Sequence, residues 1–193
     1  MESPIRIAIF ASGSGTNAEL IIQHFQRHPN IKVALLLSNN PTAKALARAT
    51  QLGIETHVFN KSLFHDGDDV LDELKTRKIT HIILAGFLLK APLNLIQAFP
   101  KRIVNIHPAL LPKFGGKGMY GMKVHEAVKA ANEKETGITI HEVSEQYDEG
   151  KIIFQESCEV VPTDTPEQIA NKVQQLEHQH FPKVIENWIT NNH

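Results

Sequence analysis

The first candidate for chemistry is a pair of polar residues, Asn105 and His107, at the end of an apolar run. An asparagine amide can donate a hydrogen bond to a developing oxyanion, and a histidine can exchange a proton near neutral pH. Alternation along a strand puts both side chains on one side of a sheet, and Pro108 helps to end that strand. The chain has no Gly-x-Ser-x-Gly elbow that would supply a nucleophile, so the pair favours direct attack of one substrate on another. The alternative is a polar strand end with a histidine that faces solvent.

Asp148 is the third candidate, in the turn-rich segment 147–150 between two apolar runs. A carboxylate brought near His107 would favour the imidazolium and raise the pKa of that ring. The alternative is an ordinary turn, because an aspartate two residues before a glycine is common turn chemistry. The sequence alone does not show whether the two side chains meet.

A glycine-rich turn, Gly13–Ala18, follows the first apolar run. Its glycines allow a tight turn, and the N–H groups of the helix that follows point at an anion such as a phosphate. The same letters fit a dinucleotide fingerprint, but Ser38–Asn40 provides no carboxylate for a ribose at the end of the second strand. The remaining alternative is a plain strand-to-helix turn that uses glycine for its dihedral angles.

Short apolar runs alternate with helical patterns in the first half of the chain, as in a doubly wound, mostly parallel α/β sheet. The predicted strands are Ile5–Ala11, Val33–Leu37, Glu55–Phe59, Ile79–Ala85 and Ile103–Ile106. The predicted helices between them are Asn17–His28, Ala43–Leu52, Gly67–Arg77 and Pro92–Phe99.

The second half of the chain has a different pattern. An irregular segment, Lys113–Gly121, precedes a predicted helix, Val124–Ala131, and two predicted strands, Thr136–Val143 and Lys151–Val161. Thr165, Pro166 and Gln168 then form a helix-start signature, which predicts one long C-terminal helix to about Thr190. Because we find no linker or repeat, we predict a single domain over residues 1–193.

Composition excludes several classes of protein. Apolar residues make up 41% of the 193 positions, which is enough for a sizeable core, and the net charge of −1 gives no broad basic face for nucleic acid. No stretch approaches the roughly 18 apolar residues of a membrane helix, and one cysteine, Cys158, cannot form an internal disulfide. We therefore expect a cytoplasmic protein. Eleven histidines lack metal-ligand spacing, so we expect no metal.

Taken together, several motifs resemble those of the glycinamide ribonucleotide (GAR) transformylase family of folate-dependent formyltransferases. They occur in family order along nearly the whole chain: Ser12–Asn17, Leu84–Phe87, Asn105–Pro112, Gly137–Gly150, Gln174 and Glu177–His178. The resemblance implies a Rossmann-like formyltransferase fold. It also implies transfer of a formyl group from 10-formyltetrahydrofolate to the amine of phosphoribosyl glycinamide, a step of purine biosynthesis. In the implied mechanism the amine attacks directly, Asn105 and a protonated His107 stabilise the oxyanion, and Asp148 keeps His107 charged and helps to move the proton.

The resemblance also implies roles for particular residues. The catalytic residues would be Asn105, His107 and Asp148. The acceptor's phosphate would be bound by Gly15, Thr16 and Asn17, and its ribose by Gln174 and Glu177. The folate would be bound by Leu88, Leu89, Lys90, Ala91 and Asn105, with the 141–148 region also lining its pocket. The expected partners are small-molecule substrates, with no nucleic acid and no membrane, and a homodimer is left open.

Two places depart from the family pattern. The residue that would bind the folate's glutamate tail falls near Gly67, where Lys61 and His65 are the closest basic candidates. Lys113–Gly121 is longer than in some relatives and is either a solvent loop, which we favour, or a lid. The alternative functions are formyl transfer to methionyl-tRNA or to a sugar amine, and non-catalytic binding of a phosphorylated metabolite.

Overall fold

Seven strands form one sheet in the computed structural model, which describes residues 4–191. The strands are β1 (Ile5–Phe10), β2 (Ile31–Ser38), β3 (Thr56–Val58), β4 (His81–Leu84), β5 (Ile103–His107), β6 (Glu135–Glu142) and β7 (Ile152–Glu159). Their order across the sheet is β3-β2-β1-β4-β5-β6-β7. The mostly parallel α/β class that the sequence predicts is confirmed.

The chain divides into two compact units, Met1–Val104 and Asn105–His193, with the boundary inside β5. The expectation of one functional domain over residues 1–193 stays a prediction.

The first unit is built on buried parallel strands. β1 pairs in parallel with β2 on one side and with β4 on the other, and all four residues of β4 are buried. Continuous apolar runs form these strands because helices cover both faces of a parallel sheet. The order reverses at β1, since β2 and β3 lie on one side of it and β4 on the other. Ligands of open α/β sheets bind beyond the carboxyl ends of the strands at such a point.

Five helices belong to the described part of the first unit, residues 4–104. They are α1 (Thr16–Phe25), α2 (Lys44–Gln51), α3 (Lys61–Asp66), α4 (Asp69–Thr76) and α5 (Leu93–Ala98). The sequence patterns predict four of them and miss α3, which begins where the Asn60 side chain accepts a hydrogen bond from the Ser62 N–H at 2.9 Å. A six-residue helix is too short to display a helical period, and Phe64 is its only buried residue.

The second unit contains an antiparallel pair and two helices. β6 pairs with β7, and the helices are α6 (Met122–Ala130) and α7 (Pro166–Asn191). The helix-start signature is confirmed: the Gln168 N–H donates to the Thr165 hydroxyl at 3.3 Å, and the Thr165 N–H donates to the Gln168 side chain at 2.8 Å. This reciprocal pair satisfies two backbone donors and starts the long helix at the predicted place.

Gly15 allows the start of α1 to pack closely against α2. It is the N-cap of α1 at φ 74°, and a Cβ added there would collide with the backbone and side chain of Ala45. Gly53 has a similar φ of +75° with open space around it. We expect Gly53→Ala to lower the free energy of unfolding by about 1 kcal/mol through backbone strain alone. Gly15→Ala should cost about 2–3 kcal/mol, because overpacking adds to the strain.

Urea unfolding of both variants and the wild type checks this difference. Equal losses for the two variants would contradict the close packing of α1 against α2.

Candidate active site

The end of β5 carries the two polar residues that the sequence singles out. Asn105 is half-buried, and His107 is only 4% exposed. Because they are two apart on one strand, their side chains lie on the same side of the sheet. The solvent-facing alternative for His107 is therefore wrong.

Both ring nitrogens of His107 have a partner in the second unit. Nε2 donates to the Phe114 carbonyl at 2.8 Å, because a carbonyl can only accept. Nδ1 lies 3.7 Å from Asp148 Oδ2. In the neutral ring the proton thus sits on Nε2, and Nδ1, the basic atom, is directed to the carboxylate.

Asp148 lies between two imidazoles. Its Oδ2 accepts a hydrogen bond from the Gly116 N–H at 2.8 Å, and its Oδ1 lies 3.6 Å from His141 Nε2. The residue itself has a left-handed φ of 55°, a conformation that aspartate tolerates better than most residues. The structure thus brings the distant carboxylate to the end of β5.

The segment Lys113–Gly121 helps to build this centre through its backbone. The Phe114 carbonyl binds His107 and the Gly116 N–H binds Asp148. Gly115 lets the chain pass close by, because a Cβ there would lie 2.5 Å from Leu111 Cδ2 and 3.3 Å from Asp148 Cβ. The description of this segment as a simple solvent loop is therefore incomplete.

His141 is a member of this centre that the sequence patterns do not reveal. Its Nδ1 donates to the Glu142 carbonyl at 3.0 Å, so in the neutral ring Nε2 accepts from Asn105 Nδ2 at 3.1 Å. This contact orients the Asn105 amide and leaves its second N–H for a ligand. The signal that could have revealed it is its position: His141 is an ionisable residue on β6, a strand that is mostly buried.

Thr139 fixes the turn that follows β5. Its hydroxyl donates to the Ala109 carbonyl at 2.7 Å and accepts from the Leu111 N–H at 3.0 Å. Gln155 Nε2 donates to the same hydroxyl at 2.8 Å. The backbone just beyond His107 is therefore attached to β6 and β7.

The electrostatics of the pair oppose the simplest expectation. Burial lowers the pKa of His107 below its ordinary 6.5 and outweighs Asp148 and the Phe114 carbonyl, which raise it; His141 lowers it further. Asp148 thus raises the pKa of His107, as predicted. The net pKa of His107 is nevertheless lowered, which is the reverse of the prediction. Burial alone would raise the pKa of Asp148, yet the neighbouring His141, the hydrogen bond from the Gly116 N–H and the neighbouring His107 together lower it overall. At pH 7 the pair is a carboxylate beside a neutral imidazole.

Hydrogen bonds from α2 hold the backbone of the glycine-rich turn in the first unit. The Ala45 N–H donates to the Gly13 carbonyl at 3.2 Å, and Arg48 Nε donates to the Ser14 carbonyl at 2.9 Å. Arg48 also forms an ion pair with Glu19. Thr16 and Asn17 open α1 directly after the Gly15 cap, so the positive end of the helix lies at the turn. This arrangement suits an anion.

A family model described as formyl transferase matches residues 5–185. The chain belongs to this formyl transferase family. It is 40% identical over 186 residues to the phosphoribosylglycinamide formyltransferase, chloroplastic, of Arabidopsis thaliana, covering 93% of this chain and 64% of that protein. It is 35% identical over 187 residues to the phosphoribosylglycinamide formyltransferase of Bacillus subtilis (strain 168), covering 93% and 92% of the two chains.

The crystal structure of phosphoribosylglycinamide formyltransferase from Bacillus halodurans has a TM-score of 0.88 with this chain, at 37% identity, and 97% of each chain is covered. The chain spans 64% and 60% of the lengths of the Arabidopsis thaliana and Vigna unguiculata proteins that it matches.

The other predicted ligand-binding residues occupy loops and helix faces. Leu88 is exposed, Leu89 and Lys90 are half-buried and Ala91 is buried, in the segment after β4. Gln174 and Glu177 are three apart and share one face of α7. Lys61 and His65 are exposed on α3. Their roles stay predictions.

Within residues 4–191, no group of three or more His, Cys, Asp and Glu side chains is arranged to hold a metal ion. None of the helices in the same range combines the length and apolar character needed to cross a membrane.

A direct titration tests the balance of burial and charge at His107. We expect NMR of histidine-labelled protein to give a pKa below 6.5 for His107. Asp148→Asn should lower this pKa further, because it removes the charge that raises it. Glu149→Gln, at the exposed neighbour, is the control and should leave the titration unchanged. A wild-type value above 6.5 would contradict the dominance of burial.

A second buried histidine makes the stability of the protein depend on pH. His125 lies on the buried face of α6 and its Nδ1 has no partner. Burial, with a smaller contribution from neighbouring His107, lowers its pKa to about 4. The unfolded chain binds a proton at His125 near pH 6.5, so its stabilising contribution is complete above that pH and is lost as the pH falls towards 4. Wild type should therefore lose about 2 kcal/mol more than His125→Leu between pH 7 and pH 5.

Urea unfolding at the two pH values measures this difference. Val128→Ala, on the same buried face of α6, should lower stability equally at both pH values because it removes only packing. If His125→Leu and wild type lose the same stability, His125 does not remain neutral in the folded protein.

Proposed function

We propose that this chain transfers a formyl group from 10-formyltetrahydrofolate to the amine of phosphoribosyl glycinamide, in purine biosynthesis. The observation that carries the proposal is the Asp148 carboxylate between His107 and His141, with the Asn105 amide hydrogen-bonded to His141. The names of the 35–40% identical relatives support the same acceptor and reaction.

The chemistry proceeds without a covalent enzyme intermediate. The residues that form the centre are an amide, two imidazoles and a carboxylate, none of which is an activated hydroxyl or thiol. The only thiol, Cys158, is half-buried on β7, and burial raises its pKa. Its sulfur is protonated at neutral pH and is a weak nucleophile. The acceptor amine therefore attacks the formyl carbon directly.

The bond changes are those of an amide exchange. The amine nitrogen forms a bond to the formyl carbon, and the carbonyl oxygen becomes an oxyanion. The second N–H of the Asn105 amide donates to that oxyanion. This hydrogen bond strengthens as negative charge develops on the oxygen. The bond between the formyl carbon and N10 of the folate then breaks. The products are the formylated amine and tetrahydrofolate.

The pair of His107 and Asp148 moves the proton in this proposal. Because His107 is neutral at rest, its Nδ1 can accept the proton that the attacking amine loses, through a water molecule. The Asp148 carboxylate, 3.7 Å from that nitrogen, stabilises the imidazolium while it exists. The proton then passes to N10 of the folate as it leaves. His107 is thus charged during the reaction and neutral before it.

The binding residues follow from the family pattern. Gly15, Thr16 and Asn17 bind the phosphate at the start of α1, where the helix dipole favours an anion. Gln174 and Glu177 bind the ribose, and Leu88–Ala91 contacts the folate.

The alternatives predict different assay results. A formyltransferase for methionyl-tRNA or a sugar amine would act on those acceptors and not on phosphoribosyl glycinamide. A non-catalytic protein would bind the phosphorylated acceptor and release no tetrahydrofolate. A turnover assay with both substrates separates the three functions.

Substitutions at the carboxylate and the imidazole test the mechanism. Asp148→Asn preserves the shape and can keep the Gly116 N–H bond, but removes the charge that stabilises the imidazolium. We expect it and His107→Asn each to lower kcat by about 100- to 1,000-fold. Tetrahydrofolate release measures the rate.

Glu149→Gln is the matched control, because it removes a neighbouring exposed carboxylate. It should keep the wild-type rate. Thermal unfolding of all three variants shows whether they remain folded. A folded Asp148→Asn variant with a rate within threefold of wild type would refute the proton-transfer role.

A further inference from the structure

Ser12, the residue before the glycine-rich turn, uses all of its polar groups. It is buried, its N–H donates to the Gly86 carbonyl at 3.0 Å, and its carbonyl accepts from Asn40 Nδ2 at 3.3 Å. Its hydroxyl lies 2.7 Å from Asn39 Oδ1 and 3.1 Å from the Leu88 nitrogen. One small side chain therefore contacts the chain beyond β2 and the chain beyond β4.

The direction of the two hydroxyl contacts is determined by chemistry. A backbone N–H can only donate, so the Ser12 oxygen accepts from Leu88. The hydroxyl proton is then free to point at Asn39 Oδ1, which is an acceptor. Each partner therefore holds the hydroxyl in the orientation that the other requires.

The segment beyond β4 needs such an attachment. Residues 86–91 lie outside the strand ladder, and Gly86 turns the chain at φ 71°. Phe87 anchors the segment by packing its ring against two other phenylalanines. Its ring centre lies 5.2 Å from that of Phe10 and 5.7 Å from that of Phe64, both edge to face. These contacts hold the Phe87 side chain, and the Ser12 hydroxyl binds the backbone of the next residue, Leu88.

Leu88, the next residue, has an exposed side chain. It is 52% exposed although it is apolar, and its backbone N–H is bound to Ser12. The segment lies at the carboxyl end of β4, next to β1 where the strand order reverses. An apolar side chain on a rigid backbone at this place suits the flat ring system of a ligand.

We propose that the Ser12 hydroxyl is a positioning group that sets the backbone of Leu88–Ala91 for folate binding by bonding the Leu88 N–H. This inference rests on the proposed function for the identity of the ligand. The acceptor loop depends less on this hydroxyl, because Ala45 and Arg48 bind the Gly13 and Ser14 carbonyls independently. Ser12 thus affects one substrate more than the other.

Steady-state kinetics should reveal that asymmetry. Ser12→Ala removes one hydrogen bond to the segment and one to Asn39, so we expect the KM for 10-formyltetrahydrofolate to rise about 10-fold. The KM for the acceptor and kcat should each change less than about threefold, because neither the glycine-rich turn nor the His107 centre loses a contact. Ser12→Thr retains the hydroxyl and should restore most of the folate KM.

Hydrogen exchange tests the attachment without any substrate. In the ligand-free protein, we expect the Leu88 amide of Ser12→Ala to exchange at least about 10-fold faster than in wild type, measured by NMR. Thr50→Ala is the control, because the Thr50 hydroxyl bonds only the Leu46 carbonyl of its own helix, at 3.0 Å. It should leave Leu88 exchange unchanged. Asn39→Ala removes the other partner of the hydroxyl and should accelerate the exchange if Ser12→Ala does not fold.

The outcomes separate the inference from the proposed function. Unchanged Leu88 exchange in a folded Ser12→Ala or Asn39→Ala variant would overturn the attachment. Faster exchange with an unchanged folate KM would overturn the positioning role. A wild-type protein that does not transfer formyl groups would overturn the proposed function, and the exchange measurement would still test the attachment.

Discussion

The centre of the second unit depends on one carboxylate, Asp148, held between two buried imidazoles. Its two oxygens lie 3.7 Å from His107 Nδ1 and 3.6 Å from His141 Nε2, and the Gly116 N–H donates to it. A buried charge is costly unless hydrogen bonds and opposite charges offset the lost hydration. The irregular segment after β5 is therefore a structural requirement of the site, because its backbone supplies the groups that hold both the carboxylate and the imidazole.

Competition between burial and charge sets the state of this centre. A nearby carboxylate alone would keep His107 protonated, but the ring is almost fully buried, and burial lowers its pKa more than Asp148 raises it. A neutral imidazole that faces a carboxylate is ready to accept a proton and to have its new charge compensated. If the His107 ring were more exposed, burial would lower its pKa less, and the attraction of Asp148 would favour a permanent ion pair between the two side chains.

In the first unit, hydrogen bonds and close packing organise the ends of β1, β2 and β4. Gly15 lets α1 begin against Ala45, and Ser12 attaches the chain beyond β4 to the chain before the glycine-rich turn. Both features depend on small residues, because close backbone approaches leave no room for larger ones. The same end of the sheet has an anion-favouring helix start and an exposed apolar Leu88.

Local patterns determined much of this protein. Continuous apolar runs predict the parallel strands, the capping signature predicts the start of α7, and the spacing of Asn105 and His107 predicts a shared side of β5, since these depend only on neighbouring residues. Tertiary structure decided the rest. His141 and the Phe114 carbonyl reach the centre through chain folding, α3 is too short for a periodic signal, and the net pKa of His107 depends on how deeply the ring is buried. Burial and long-range hydrogen bonding are properties of the folded chain, so no local pattern contains them.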